Sequence, residues 1–110
     1  MRRGEVWWAD LPAPIGRRPV LLLSRDVAYR VRASVTVGVV TRAVRGIATE
    51  VPLGPADGMP VACVVNLDDI LTIPKRLLQQ RITSLSAENM AHVAEAIAFA
   101  LDLPSGAANR

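Results

Sequence analysis

The stretch "SVTVGVVT", Ser34 to Thr41, decides how the rest of the chain is read. It is rich in Val and Thr, whose branched β-carbons crowd a helix and pack well on a pleated surface. It therefore reads as the strongest strand in the sequence, and Gly38 inside it predicts a bulge or sharp bend. Working outward, "PVLLLS" (Pro19 to Ser24) reads as a strand whose start the proline fixes. "EVWWADL" (Glu5 to Leu11) is an earlier one, bounded by Gly4 and by Pro12 and Pro14. Downstream lie "ATEVPL" (Ala48 to Leu53), with Pro52 implying an edge position, and "VACVVN" (Val61 to Asn66). "RDVAYRVR" (Arg25 to Arg32) reads as irregular and basic. "DDILTIPKRLLQQRITSL" holds a helical turn and a short strand whose boundaries the pattern does not fix.

The last element is a helix. Ser86 is placed to cap it, and Glu88 lies in the first turn, where the helix dipole favours negative charge. Met90, Val93, Ala94, Ile97, Ala98 and Leu101 then recur at helical spacing, and Pro104 lies just beyond. Many short strands followed by one amphipathic helix predict a mainly β fold: a small, strongly bent sheet or barrel capped by the helix. Residues 1–103 read as a single domain and 104–110 as a frayed tail. A barrel of this size has few layers to bury its faces, and a homodimer would help it.

At 110 residues, half of them apolar, the chain fits one globular domain. No apolar run reaches the ~18 residues of a membrane helix. "MRRGEVWW" has no apolar stretch behind its arginines, so no signal peptide is expected. A single cysteine, Cys63, excludes an internal disulfide, and a cytoplasmic location fits best. Net charge is +3, unevenly spread: Met1 to Arg45 carries nine arginines against Glu5, Asp10 and Asp26. From Ile47 onward four basic residues face seven acidic ones, and Lys75 is the one lysine. The planar fork of arginine matches phosphate oxygens, so the basic half suggests a polyanionic partner. Coding bias toward arginine and simple solubility account for it equally well.

The chemistry on offer is narrow. No zinc-binding pattern and no phosphate-cradling glycine loop occurs, so neither a metal nor a nucleotide cofactor is expected. His92 falls on the terminal helix beside the apolar Val93 and reads as a surface or boundary residue. Cys63 reads as a small buried hydrophobe. Asp68 and Asp69 are adjacent, so they diverge and cannot work as a carboxylate pair; one of them is placed to cap a turn at Ile70. What remains is arginine with hydroxyls, a set suited to phosphoryl chemistry. RNA brings its own nucleophile, the 2′-OH. A protein using it needs donors for the phosphate oxygens and groups to move two protons. Arg17, Arg18 and Thr41 are the candidate donors, with loop charges and an ordinary strand threonine as the alternative reading. The residue types leave the acceptor of the 2′-OH proton unassigned.

Two blocks tie these residues together. Arg3-Gly4-Glu5-Val6-Trp7 with Asp10-Leu11, followed by Arg17-Arg18-Pro19-Val20-Leu21 and Ser24-Arg25-Asp26, resembles the N-terminal signature of the MazF/PemK family of toxin endoribonucleases. "VTVGVVTRAVRG", "VVNLDDILTIPKRLL" and "ITSLSAENMAHVAEAIAFALDL" resemble the family's later segments in the same order, so the likeness covers nearly the whole chain. It implies an SH3-like barrel of the CcdB/PemK type with a C-terminal helix, acting as a homodimer. It implies metal-independent, sequence-specific cleavage of single-stranded RNA, leaving 2′,3′-cyclic phosphate and 5′-hydroxyl ends. By position the catalytic pair is Arg18 and Thr41, with Arg17, Arg42 and Arg45 as candidate RNA-binding residues. The implied partner is an antitoxin, MazE-like or other, whose acidic disordered tail lies across the RNA groove.

Two features depart from the family pattern. The loop Pro12 to Arg17 is short, and Leu71 stands where the family's Ile-Arg-Thr run has its arginine. The same fold also hosts non-catalytic toxins that bind and poison DNA gyrase, which is the alternative reading. A stacking-based nucleic-acid binder is less well supported, because Trp7, Trp8, Tyr29 and Phe99 are the only aromatics. Trp7 and Trp8 point to opposite faces of their strand. One is expected in the core; the other is either core at a dimer contact or an exposed platform.

Overall fold

The structure, a computed structural model, describes residues 1–104, so all but the first residue of the expected tail lies outside the described residues. Six strands form one antiparallel sheet: β1 (Glu5–Asp10), β2 (Arg17–Leu22), β3 (Ser34–Thr41), β4 (Glu50–Leu53), β5 (Cys63–Pro74) and β6 (Leu78–Ser84). Their order across the sheet is β4-β5-β3-β2-β1-β6. The sheet curls into a half-barrel. The helices are α1 (Ala28–Val31) and α2 (Ala87–Ala100). The mainly β class with a C-terminal helix is thus what the sequence predicts, and Pro52 does sit on an edge strand, β4.

Side chains alternate along β2 and β3, and both faces are buried. Leu21, Leu23 and Val40 pack with Val65, Leu67 and, from α2, Val93 and Ala96. Val20, Leu22, Val35 and Val37 pack on the other face with Tyr29 and Ile73. Each fully buried Val or Leu stabilises the fold by about 1.5–3 kcal/mol before conformational entropy is subtracted. Gly38 sits in close quarters: a β-carbon there would lie 3.1 Å from Val65 Cγ1 and 3.3 Å from Leu67 Cδ1, so these side chains would have to shift by a few tenths of an ångström to admit one. The β3–β5 register breaks beside it. Gly38 faces Ile70 while Val39 faces Asn66, so residues 67–69 loop out of β5 as a bulge.

Arg3, Ser24 and Asp26 of the N-terminal blocks tie the scaffold together. The Arg3 amide donates to Asp26 Oδ1 at 2.7 Å, and its guanidinium donates to the Leu23 carbonyl. Ser24 Oγ accepts from the Thr36 amide at 2.8 Å. Ser86 caps α2 as expected, accepting from the Asn89 amide at 3.1 Å.

Three local readings need correction. Residues 28–31 form a helical turn, α1, rather than an irregular segment; Ala28 and Tyr29 are buried, and Lys75 Nζ donates to the Tyr29 carbonyl at 2.7 Å. A four-residue helix is too short to carry a helical repeat in its sequence. Asp68 and Asp69 do not precede a turn at Ile70. β5 continues to Pro74 because β3 pairs with it again from Ile70 onward, and the helical turn follows at Lys75–Leu77. β2 begins at Arg17, ahead of Pro19, paired there with Asp10 of β1.

Candidate active site

Pro19 shapes the site through a hydrogen bond it cannot make. The Leu22 carbonyl accepts from Gly4 on the β1 side, at 2.9 Å, and the Leu23 amide donates to Thr36 on the β3 side, at 2.9 Å. Strand alternation then directs the backbone polar groups of Leu21 and Pro19 toward β3. Proline has no N–H to give. The β2–β3 pairing accordingly stops at Val20↔Val39, although β2 stays paired with β1 and β3 with β5. Beyond that point no further β2–β3 pair forms. Extending their register by two residues sets Arg18 across from Thr41, on either side of the gap.

Two hollows meet there. One, of about 520 Å³, is lined by Trp8, Arg17, Pro19, Arg42, Met59 and Cys63 among others. The second, of about 580 Å³, is lined by Ile15, Val39, Arg45, Asn66, Asp69 and Leu71 among others. Arg18 and Thr41 line both, which places them on the ridge between. Thr41 Oγ1 accepts from the Ala43 amide at 3.1 Å. With that acceptor position engaged, its hydroxyl hydrogen is free to donate outward. Arg18 is half-buried and Arg17 exposed.

The neighbouring arginines differ in how they are held. Arg17 lies over the Trp8 ring, 4.2 Å from its centroid, and its Nε donates to Gln79 Oε1 at 3.1 Å. Its two terminal amino groups remain available. Arg42 is exposed on the wall of the first hollow. Arg45 is tethered: its amide donates to Glu50 Oε1 at 3.0 Å and its Nε lies 3.6 Å from Oε2. The Gly46 amide also donates to Glu50, at 2.8 Å. Burial pushes the Glu50 carboxyl up. Hydrogen bonds from the Arg45, Gly46 and Ile47 amides and the Arg45 charge outweigh it and hold the group below its ordinary value of 4.5. One carboxylate thus pins the loop that follows β3. Cys63 is buried, and burial, reinforced by the Asp57 charge, pushes its thiol up, so it is a poor nucleophile.

A family model described as "PemK-like, MazF-like toxin of type II toxin-antitoxin system" matches residues 2–101. The chain belongs to that family. It is 48% identical over 88 residues to a Mycobacterium tuberculosis protein named probable endoribonuclease MazF2, covering 78% of this chain and 83% of the relative. The solved structure of the Mycobacterium tuberculosis toxin MazF-mt6 superposes with a TM-score of 0.85 at 39% identity, over 92% of this chain and 99% of that one. A mycobacterial endoribonuclease solved in complex with its cognate antitoxin also gives 0.85, at 32% identity, over 96% of this chain and 98% of that one.

Against this PemK/MazF-type frame, Arg18 and Thr41 come together on the ridge, Arg17 and Arg42 flank the first hollow, and Arg45 borders the second. Trp7 and Trp8 are both half-buried, on opposite faces of β1. Trp7 packs against the core and donates through Nε1 to Glu5 at 3.0 Å, while Trp8 supports Arg17 in the first hollow. Sequence reasoning missed Asn66, Asp69 and Gln79. Only the run Asn66-Leu67-Asp68-Asp69 inside a strand-like stretch hinted at the β5 bulge, since Asn side chains often bond backbone two residues on. Here Asn66 Oδ1 accepts from the Asp68 amide at 3.0 Å. Among the described residues no helix is long and apolar enough to cross a membrane, and no group of three or more His, Cys, Asp or Glu is placed to hold a metal ion.

Proposed function

We propose that this chain is the toxin of a type II toxin–antitoxin pair, and that it cleaves single-stranded RNA by attack of a ribose 2′-OH on the adjacent phosphate. The products are a 2′,3′-cyclic phosphate and a 5′-hydroxyl. The observation that carries the reading is the placement of Arg18 and Thr41 on one ridge with a hollow on each side. In-line displacement needs that shape: phosphate on the ridge, attacking sugar on one side, leaving sugar on the other.

Arginine stays protonated near neutral pH, so Arg18 serves as a charge stabiliser and not as a base. Its guanidinium donates to the phosphorane oxygens and to the departing 5′-oxygen. The Thr41 hydroxyl donates to a second phosphate oxygen. Arg17 and Arg42 attract and register the backbone of the strand in the first hollow, and Arg45 borders its path in the second. None of these steps calls for a metal. The protein acts as a cytoplasmic homodimer, and its partner is an antitoxin with an acidic tail that fits the same basic ridge. The mycobacterial relative solved in complex with its cognate antitoxin supports an antitoxin as partner.

The test is incubation of the purified protein with single-stranded RNA in EDTA, followed by end analysis. Cyclic phosphate and 5′-hydroxyl ends are expected, and Arg18→Ala abolishes them. RNA left intact by the native protein sinks the reading and favours a non-catalytic toxin such as a gyrase poison.

A further inference from the structure

Cleavage by a 2′-OH needs a group to take its proton, and neither Arg18 nor Thr41 is one. Among the described residues lining the two hollows, the groups that can accept a proton are few. Cys63 is buried with its thiol pushed up, and the arginines are already protonated. Asp69 is the one carboxylate, and it lines the second hollow together with Arg18 and Thr41.

The β5 bulge puts it there. Residues 67–69 leave the β3 ladder between Asn66 and Ile70, and the two adjacent acids are sent to different partners. Asp68 is spent on structure: its Oδ2 accepts from Thr49 Oγ1 at 2.7 Å. Asp69 remains exposed, held on one oxygen by Asn66 Nδ2 at 3.3 Å. Asn66 is itself 7% exposed and fixed through its Oδ1 to the Asp68 amide, so it is a stiff support. The other charged groups around Asp69 are Arg18 from β2, Arg45 from the loop after β3, Glu50 from β4 (facing Asn66 in the ladder) and Asp68 beside it. Glu50 is occupied by Arg45 and the loop amides.

The geometry points to Asp69 as the general base of the reaction, an inference that rests on the nuclease reading above. The attacking ribose occupies the second hollow. Asp69 takes the 2′-OH proton as the 2′-oxygen bonds to phosphorus. The bond from phosphorus to the 5′-oxygen breaks, and its electron pair stays on that oxygen. The 5′-oxygen takes a proton from Arg18, which recovers one from water, and Asp69 returns its own to solvent. Charge and atoms balance without a co-reactant. Asn66 is a positioning residue.

The test compares native protein, Arg18→Ala and Asp69→Asn on one RNA containing a preferred cleavage site. It uses kcat, KM and full pH profiles, and includes a substrate whose 5′-bridging oxygen is replaced by sulfur. Asp69→Asn keeps the size of the side chain and an oxygen for Asn66. It is expected to lower kcat about 100-fold or more with little change in KM, and to remove the acid limb of the profile. A thiolate leaves without protonation, so the sulfur substrate restores rate to Arg18→Ala far more than to Asp69→Asn. Asp69→Asn within threefold of native rate, with Arg18→Ala inactive, overturns the role of Asp69 and leaves the nuclease reading standing. A slowed variant that keeps the native acid limb also overturns it, since a merely structural loss does not change which group titrates. Native protein that leaves RNA intact overturns both.

Discussion

Replacing Arg17 and Arg18 one at a time separates two jobs that the sequence writes as a doubled charge. Strand alternation sends the two side chains to opposite faces of β2. Arg17 rests on Trp8, spends its Nε on Gln79 and offers its remaining amino groups to the first hollow, enough for one phosphate contact. Arg17→Ala therefore removes about one released counterion, and the slope of log(kcat/KM) against log salt becomes shallower by roughly 0.7 for a single strand. The gap between variant and native protein then narrows roughly 2.5-fold from about 50 to 200 mM salt. The loss appears in KM while kcat holds. Losing an exposed stack on Trp8 costs the fold no more than about 1 kcal/mol. Arg18→Ala removes a donor that meets the phosphorane, so kcat falls at least ~100-fold, about 2.7 kcal/mol in the barrier, at every salt concentration. Steady-state cleavage of a short fluorogenic RNA across a salt series measures both. Equal losses in kcat for the two variants, or parallel salt slopes, would refute the division of labour.

Thr41→Val preserves shape and strand propensity but removes the outward hydrogen together with the exposed acceptor for the Ala43 amide, and kcat is expected to fall about 100-fold while the fold loses no more than about 1 kcal/mol. Cleavage above a tenth of the native rate counts against a phosphate contact there. Gly58 has φ +89°, and a β-carbon would sit 2.3 Å from Thr83 Oγ1, which donates to the Asp57 carbonyl at 2.9 Å. The left-handed backbone and the lost hydrogen bond together make Gly58→Ala destabilising by about 2–3 kcal/mol, or roughly 10–15 °C in Tm. An unshifted Tm in calorimetry would contradict that contact. The carboxyl of Glu50 is held below its ordinary 4.5, so its contribution to stability is present above that pH and is lost as pH falls through the depressed folded value. Acid titration of Tm therefore shows a decline below about pH 4.5 that Glu50→Gln flattens, and parallel curves would exclude the pinned loop as its source.

Elements with a long repeat were legible from sequence, and those made by tertiary pairing were not. The β-branched run of β3 and the helical spacing from Met90 to Leu101 each satisfy a local rule, and both elements form where the rule puts them. β5 obeys no such rule beyond Asn66. Its second half is a strand because β3 lies beside it, and its bulge lies opposite the Gly38–Val39 step of that strand. The site divides in the same way. Arg18 and Thr41 stand at the ends of recognisable strands, so a family pattern reaches them by position. Asp69 and Gln79 come from segments whose register sequence alone does not fix: Asp69 is set by how β5 pairs with β3, and Gln79 by Arg17, far away in the chain.

Pro19 connects these two levels. In the middle of a sheet a proline is ordinarily a defect, because it withholds one ladder hydrogen bond, worth about 1 kcal/mol net. At this position the missing bond lies between β2 and β3, while β1 and β5 hold the outer sides of both strands. The sheet stays intact and opens at one place, between the residue before the proline and the residue that ends β3. Those residues are Arg18 and Thr41. Pro19→Val supplies the missing N–H and is expected to extend the pairing to Val40, draw the strands together and close the ridge. Tm then rises or holds while cleavage falls. A variant that is as stable as native and equally active would show that the gap, and with it the link between this proline and the chemistry, is not what positions the two side chains.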